Sequence, residues 1–421
     1  MAAFSTPLLA PLLIRASLSS ALIRRRLVGN VPAHRIHHSA ALARDAAKSV
    51  KTYPANYFRA FAGERSDHYV DVPVQLVVNT EDPYVRPYGY DATARWVPRL
   101  WRRDLKAGHW SPMSHPAALA AAVHELADLI EGKRPSRALQ RAQVGRPHDD
   151  FSDVLVSVTG AGSGIGRATA LAFAAGGAEI VVSDIDEAAA KDTADQVTAR
   201  GGLAHPYVVD VSDVQAVEAF AERICAEHGV PDIVVNNAGI GHAGRFLDTP
   251  PEGYERVLDV NFGGVVNGCR AFARRLVDRG TGGHIVNVAS MAAYAPSASL
   301  NAYCTSKAAV YMFSDCLRAE LAADGVGVTT ICPGVINTNI LQTTRFDVPQ
   351  AASSRVEGRR AQLQKLYTSR RYGPEKVAQA IVSAVKADKP IRPVAPEAYL
   401  LYGLSRFAPQ VLRSTARARV L

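Results

Sequence analysis

The feature that most limits how this chain can fold is a glycine run, Thr159-Gly160-Ala161-Gly162-Ser163-Gly164-Ile165-Gly166. It lies between a strand-like stretch at 154–158 and a helix-like one at 164–175. Gly160, Gly164 and Gly166 let the backbone turn tightly and approach an anion, such as a pyrophosphate, at the positive end of the helix that follows. Beyond the run, strand and helix signals alternate. Strands are expected at 179–183, 204–209, 232–236, 284–289 and 326–331, and helices at 187–200 and 214–228. Such alternation implies right-handed βαβ crossovers, hence an α/β, Rossmann-like, doubly wound parallel sheet.

Two further groups of residues belong with this pattern. Asp184 stands at the end of the first strand after the glycine run, where a carboxylate can accept hydrogen bonds from ribose hydroxyls and repel a 2′-phosphate. That favours NAD over NADP. Arg167, just past the loop, keeps NADP open. Tyr303 and Lys307 are one helical step apart at the start of an expected helix, so they share a face. An ammonium beside a phenol lowers the tyrosine pKa from near ~10, so the phenol can exchange a proton near neutral pH. Ser290 stands upstream of that pair, just after a strand, where its hydroxyl can hold a substrate oxygen.

Together with Asn236-Asn237-Ala238-Gly239 and Asn261, these residues resemble the short-chain dehydrogenase/reductase family. The matching positions are Thr159 to Gly166, Asp184, Asp210, Asn236 to Gly239, Asn261, Ser290, Tyr303, Lys307, Pro333, Gly334 and Thr338, across roughly 152–395. The resemblance implies an NAD(P)-dependent oxidoreductase interconverting a secondary alcohol and a ketone or aldehyde. It makes Tyr303 the general acid/base. Lys307 then tunes Tyr303 and meets the nicotinamide ribose, Ser290 orients the carbonyl, and Asn261 supports a water-mediated proton relay. The glycine loop, Ile165 included, would take the pyrophosphate and Asp210 the adenine. Asn237, Ala238 and Gly239 would line the cleft, with Pro333, Gly334 and Thr338 at the carboxamide end. A homo-oligomer acting on a small hydrophobic or lipid-like molecule is expected.

The segment before this unit reads differently. A short strand at 74–78 ends in a turn that holds Asp82, and a helix-like stretch follows at 90–100. His109 comes after 100–105 and before a long amphipathic helix at 115–132. This resembles the acid–histidine end of an α/β-hydrolase such as an epoxide hydrolase, where the pair activates water against an ester intermediate. No strand-to-helix elbow bearing a nucleophile precedes Asp82. Residues 52–132 are therefore expected to be a truncated, inactive partial hydrolase fold, with Asp82 and His109 a vestigial pair. Residues 133–150, polar and carrying two prolines, read as a linker to the dehydrogenase unit at 151–395. The whole arrangement is similar to the epoxide hydrolase–dehydrogenase fusion oxidoreductases of mycobacteria and related actinobacteria.

Charge decides less than it first suggests. The net charge is +9, but six arginines and no acid fall within residues 1–44, so the rest of the chain carries only +3. No nucleic acid partner is expected. Residues 1–50 resemble a mitochondrial transit peptide in composition, and are equally compatible with a disordered extension or a misplaced start. A cytoplasmic protein is expected otherwise. The five cysteines lie at or after Cys225 with no CxxC pair, so neither disulfides nor a metal site is expected. Residues 396–421 form a basic amphipathic tail. It is compatible with peripheral contact on an anionic membrane or with a cover on a greasy site. It is equally compatible with a packing or dimer-interface helix. Two rival functions stay open. One is hydrolysis through Asp82 and His109, which the missing nucleophile disfavours. The other is nucleotide binding without turnover, which intact Ser290, Tyr303 and Lys307 disfavour.

Overall fold

A computed structural model describes residues 31, 42–49, 69–147, 149–338, 340, 344–347 and 372–416. The chain divides into two compact units, Met1–Arg146 and Pro147–Leu421.

The first unit is built on two parallel strands, β1 (Val74–Asn79) and β2 (Leu100–Leu105). The stretch at 90–100, expected to be helical, gives only short 3-10 turns at Pro87–Tyr90 and Thr93–Arg95. Helix α1 (Pro116–Ile130) lies over the strands, where Gln75 on β1 donates to the Ala122 carbonyl at 2.6 Å. The expected linker is partly ordered: Arg137–Ala142 forms helix α2, with Ser136 capping it through the Leu139 amide at 3.1 Å. Leu139 is fully buried against Trp101, and Gln143 bridges to that residue. The prolines and charges of 133–150 concealed one apolar side per turn of helix. Burying a leucine fully is worth about 1.5–3 kcal/mol, which offsets part of the cost of ordering this helix. Of residues 1–50, only Val31 and the helix Leu42–Ser49 are described.

The second unit is the doubly wound sheet expected from the alternation. Its seven strands are β3 (Leu155–Thr159), β4 (Glu179–Asp184), β5 (Leu203–Val208), β6 (Ile233–Asn236), β8 (Gly283–Val288), β9 (Val326–Pro333) and β11 (Ile391–Val394). They lie in the order β11-β9-β8-β6-β3-β4-β5, all parallel. The central strands are apolar runs with no alternation, because helices cover both faces. Every residue of β3 and β6 is buried. Helices α3 (Gly164–Ala175), α4 (Glu187–Thr198) and α5 (Val214–His228) make the first crossovers. They are followed by α6 (Pro251–Leu258), α7 (Gly264–Arg279), α8 (Asn301–Leu321) and α9 (Pro374–Lys386). The chain leaves β3 for β4 on one side and later returns to β6 on the other. That reversal opens a crevice at the carboxyl ends of the strands.

One piece escaped the sequence reading. A small parallel pair, β7 (His242–Gly244) and β10 (Arg345–Asp347), stands beside the main sheet. The C-terminal tail is a helix pair, α10 (Pro396–Phe407) and α11 (Pro409–Thr415). Ala398 on α10 is fully buried while Leu400 and Phe407 point outward. Among the described residues, no helix is long and apolar enough to cross a membrane.

Candidate active site

The glycine loop has the geometry that its residues require. Gly160 and Gly164 adopt φ of +62° and +53°, the left-handed region that a side chain disfavours. A Cβ on Gly166 would come within 2.1 Å of the Gly160 carbonyl oxygen, and one on Gly160 within 2.8 Å of Ala238 Cα. The loop is fastened from two sides. Thr159 Oγ1 accepts from the amides of Asn237 (3.1 Å) and Ala238 (3.2 Å), and Asn237 Nδ2 donates to the carbonyls of Thr159 and Gly160. On the other side, Asp184 Oδ2 accepts from the Gly162 amide at 2.8 Å, and Oδ1 accepts from the Asp186 amide. Asp186 and Asp213 cap α4 and α5 with their carboxylates, whereas Ser163 makes no side-chain cap on α3. The first amides of α3 thus face the crevice, as a pyrophosphate site needs.

A cleft of about 500 Å³ runs from this loop across the strand ends. It is lined by Gly160, Gly164, Ile165 and Asp184, and by Asp210, Asn237, Ala238 and Gly239. Ser290, Tyr303, Lys307, Pro333 and Gly334 line it too, as does Thr338, which would stand 3.6 Å from a Cβ on Gly164. Thr159, Gly166 and Asn261 support the walls without forming them. Asp210 accepts from the Ser212 amide (2.9 Å) and hydroxyl (2.6 Å), which hold its carboxyl below its ordinary pKa. Arg167 is engaged elsewhere: Nε donates to Thr193 Oγ1, and Nη2 bonds the Gly162 carbonyl and pairs with Asp192.

Tyr303 and Lys307 leave α8 on one face, the lysine Nζ 6.0 Å from the centre of the tyrosine ring. Lys307 is buried and donates to the Val288 carbonyl at 3.0 Å. Burial lowers its pKa to about 8. Asn261 sits in a π turn, Asp259–Gly263, that interrupts the passage from α6 to α7. There its Oδ1 accepts from the Ile240 amide (2.8 Å) while Nδ2 donates to the Ile240 carbonyl and to Ser306. Gly239 is the point where these groups meet. A Cβ at that position would lie 3.0 Å from Asn261 Oδ1 and 3.4 Å from Lys307 Nζ. Ser290 caps the turn Met291–Ala293 by accepting from the Ala292 amide.

The sequence reading missed three contributors. His242 and Phe346, from β7 and β10, line the cleft, and His242 Nε2 lies 3.0 Å from Asp347 Oδ2. Strands so short carry no readable period. Glu397 on α10 accepts from the Val335 amide at 2.9 Å, beside Gly334. No local signal marks a tertiary contact between segments so far apart in the chain.

The hydrolase-like pair also forms, within its own unit. Asp82 Oδ2 is 2.8 Å from His109 Nδ1, and Oδ1 accepts from the amides of Tyr84 and Val85. Burial of Asp82 raises its pKa, but the bonds from His109 and the two amides outweigh this and hold it below the usual value.

A doubly wound sheet with a glycine-loop crevice and a Ser, Tyr and Lys set at its mouth defines a nucleotide-dependent α/β oxidoreductase. Comparison with known proteins is more specific. Residues 154–348 match the short chain dehydrogenase family, and residues 2–116 match the alpha/beta hydrolase fold. The hydrolase match therefore overlaps the stretch that composition suggested was a leader. The chain is 72% identical to "Probable oxidoreductase EphD" of Mycobacterium tuberculosis over 424 residues, covering all of this chain and 72% of that protein. It is 31% identical to the C alpha-dehydrogenase of Sphingobium over 56% of this chain and 79% of that one. A short-chain dehydrogenase/reductase from Burkholderia phymatum, solved in complex with NAD, superposes with a TM-score of 0.57 at 29% identity. It covers 64% of this chain and 98% of its own. The chain belongs to the short-chain dehydrogenase/reductase family, oxidoreductases acting on CH–OH groups, and carries α/β-hydrolase sequence ahead of that part.

Proposed function

We propose that the second unit uses NAD to interconvert a secondary alcohol and a ketone or aldehyde on a hydrophobic substrate. The supporting observation is that Ser290, Tyr303 and Lys307 open into the same cleft as the glycine loop and Asp184. When bound, the nicotinamide supplies the acceptor or donor of the hydride. Tyr303 takes the hydroxyl proton during oxidation and returns it during reduction. Lys307 favours the phenolate by its charge and also contacts the ribose. Ser290 holds the reacting oxygen, and Asn261 sustains a proton path by fixing the Ile240 backbone.

Asp184 favours NAD, and the Arg167 guanidinium is already engaged by Thr193, Gly162 and Asp192. Met291, Leu300, Ile340 and Phe346 give the substrate end its apolar character. The five cysteines are free thiols, consistent with work in the cytoplasm. We take the working form to be a homo-oligomer. Hydrolysis through Asp82 and His109 is the weaker reading, because the described residues hold no nucleophile elbow beside the pair.

The test is turnover of Tyr303→Phe on hydrophobic secondary alcohols with NAD. Removing the transferable proton should lower kcat at least ~100-fold while cofactor affinity and thermal stability are kept. Near-normal turnover in that variant would sink the mechanism.

A further inference from the structure

Across the sheet from the cleft, three side chains converge that the proposed chemistry does not use. Glu179 opens β4, His205 lies on β5 at the sheet edge, and His228 ends α5. Their carboxylate and imidazole atoms all lie within 4.8 Å of one another. Glu179 Oε1 is 2.9 Å from His205 Nε2 and 3.8 Å from His228 Nδ1. Glu179 and His228 are largely buried, and His205 keeps about a quarter of its side chain in solvent.

The protons can be assigned by elimination. Tyr207 OH is 2.6 Å from Glu227 Oε2 and 2.7 Å from His228 Nε2. The hydroxyl has one proton and a carboxylate only accepts, so Tyr207 donates to Glu227. Toward His228 the phenol oxygen can then only accept. His228 Nε2 therefore carries the hydrogen, and a neutral ring keeps its Nδ1 lone pair on the side of Glu179 and His205. This is the tautomer a ligating imidazole needs, with its far N–H held by a hydroxyl–carboxylate pair. Glu179 and Glu227 are the carboxylates beside the two rings, and Arg223 pairs with Glu227 at 2.9 Å.

We propose that Glu179, His205 and His228 bind a divalent transition-metal ion of the zinc type. Two imidazoles and a carboxylate suit zinc, with water completing the tetrahedron. Ligands ~2.0–2.1 Å from such an ion stand ~3.4 Å apart, and the 2.9 and 3.8 Å separations bracket that value. The two rings are stacked at 3.9 Å and 24°. Seating the ion therefore turns the more exposed ring, His205, about its Cβ–Cγ bond. Its Nε2 proton passes to Nδ1 by exchange with water, and its bond to Glu179 gives way to the ion. Bound there, the ion ties the edge strand to β4 and to the end of α5. Glu179 and Asp184 mark opposite ends of β4, about 16 Å apart along the strand, so the ion stays clear of the cofactor cleft. The sequence reading expected no metal because it looked for cysteine pairs. These ligands come from three separate elements and meet only in the fold.

The experiment titrates zinc chloride into the chelator-treated full chain by calorimetry and by thermal unfolding. His109→Ala serves as the background, removing the histidine–carboxylate pair of the first unit. One zinc ion should bind and raise Tm. Glu179→Gln, which preserves shape, and His228→Ala should each lose that ion and its Tm gain. Tyr207→Phe, which leaves the ligands intact but releases the tautomer, should weaken zinc at least ~10-fold. Magnesium should not compete, and dehydrogenase turnover should be unchanged throughout. If His228→Ala does not fold, Glu179→Gln decides. Equal zinc stoichiometry and equal Tm gain with and without the Glu179 carboxylate would overturn the site.

Discussion

At the scale of single residues, Asp184 has two tasks. Its carboxylate holds the amides of Gly162 and Asp186, and it borders the cleft where an adenosine ribose would lie. Charge-assisted bonds of this kind are worth about 1.5–3 kcal/mol. Asp184→Ala should therefore weaken NAD ~10- to 100-fold and narrow its advantage over NADP, as read by cofactor titration. Equal affinity for both cofactors in the unmutated protein would refute the assignment.

His284 gives a second residue-scale test. It is buried on β8 with Nε2 2.8 Å from Thr329 Oγ1, and burial lowers its pKa to about 4. Between pH 6.5 and 4 the unfolded chain binds a proton that the folded chain refuses. This group's contribution to stability is thus complete above pH ~6.5 and is lost as pH falls toward 4, by roughly 3 kcal/mol in all. Denaturant unfolding across that range should show a shallower slope in His284→Gln. An unaltered slope would place the acid sensitivity elsewhere.

Among the elements, α10 is the one whose removal from the site can be tested directly. Three bonds tie it to segments around the cleft. Glu397 accepts from the Val335 amide, Tyr294 donates to the Ala398 carbonyl at 2.9 Å, and Arg406 donates to Tyr311 on α8 at 2.8 Å. Just before it, Ala395 holds φ +88°, which costs about 1–3 kcal/mol in a residue with a side chain. That strain persists because neighbouring bonds fix the chain, among them Gly334 N to the Val394 carbonyl at 2.8 Å. The helix thereby braces the 333–338 turn at the cofactor end of the cleft. Glu397→Ala should raise KM for NAD several-fold and lower kcat with little change in Tm, while Glu397→Gln keeps the acceptor and most of the activity. Loss of Tm without a change in KM would make the contact merely structural.

For the whole molecule, each unit has its own core. The sheet of residues 147–421 is covered on both faces by its own helices, whereas the first unit's described sheet has two strands. A fragment spanning 147–421 should therefore unfold cooperatively by itself and retain NAD-linked turnover. In the full chain, His109→Ala should leave dehydrogenase turnover unchanged, and epoxide hydrolysis should be at background with or without it. Epoxide turnover that vanishes with His109 would show the first unit to be a working enzyme.

The doubly wound sheet, its glycine loop, and the pairing of Tyr303 with Lys307 were legible in the sequence. Each rests on local rules: apolar runs for buried strands, glycine where φ turns positive, and a single helical step that keeps two side chains on one face. The Asp82–His109 contact followed equally from order and spacing along a resembling fold. Other features depended on distance in the chain. Leu139 ordered part of an apparent linker because Trp101 was there to cover it. Glu397 reached Val335, His242 reached Asp347, and Glu179 met two histidines from β5 and α5. Such contacts leave no periodic trace, since each side chain that makes one sits alone in its own segment. Local sequence set which elements form and where a nucleotide can approach them. Only tertiary packing decided which isolated polar side chains meet, because that depends on crossovers bringing together segments far apart along the chain.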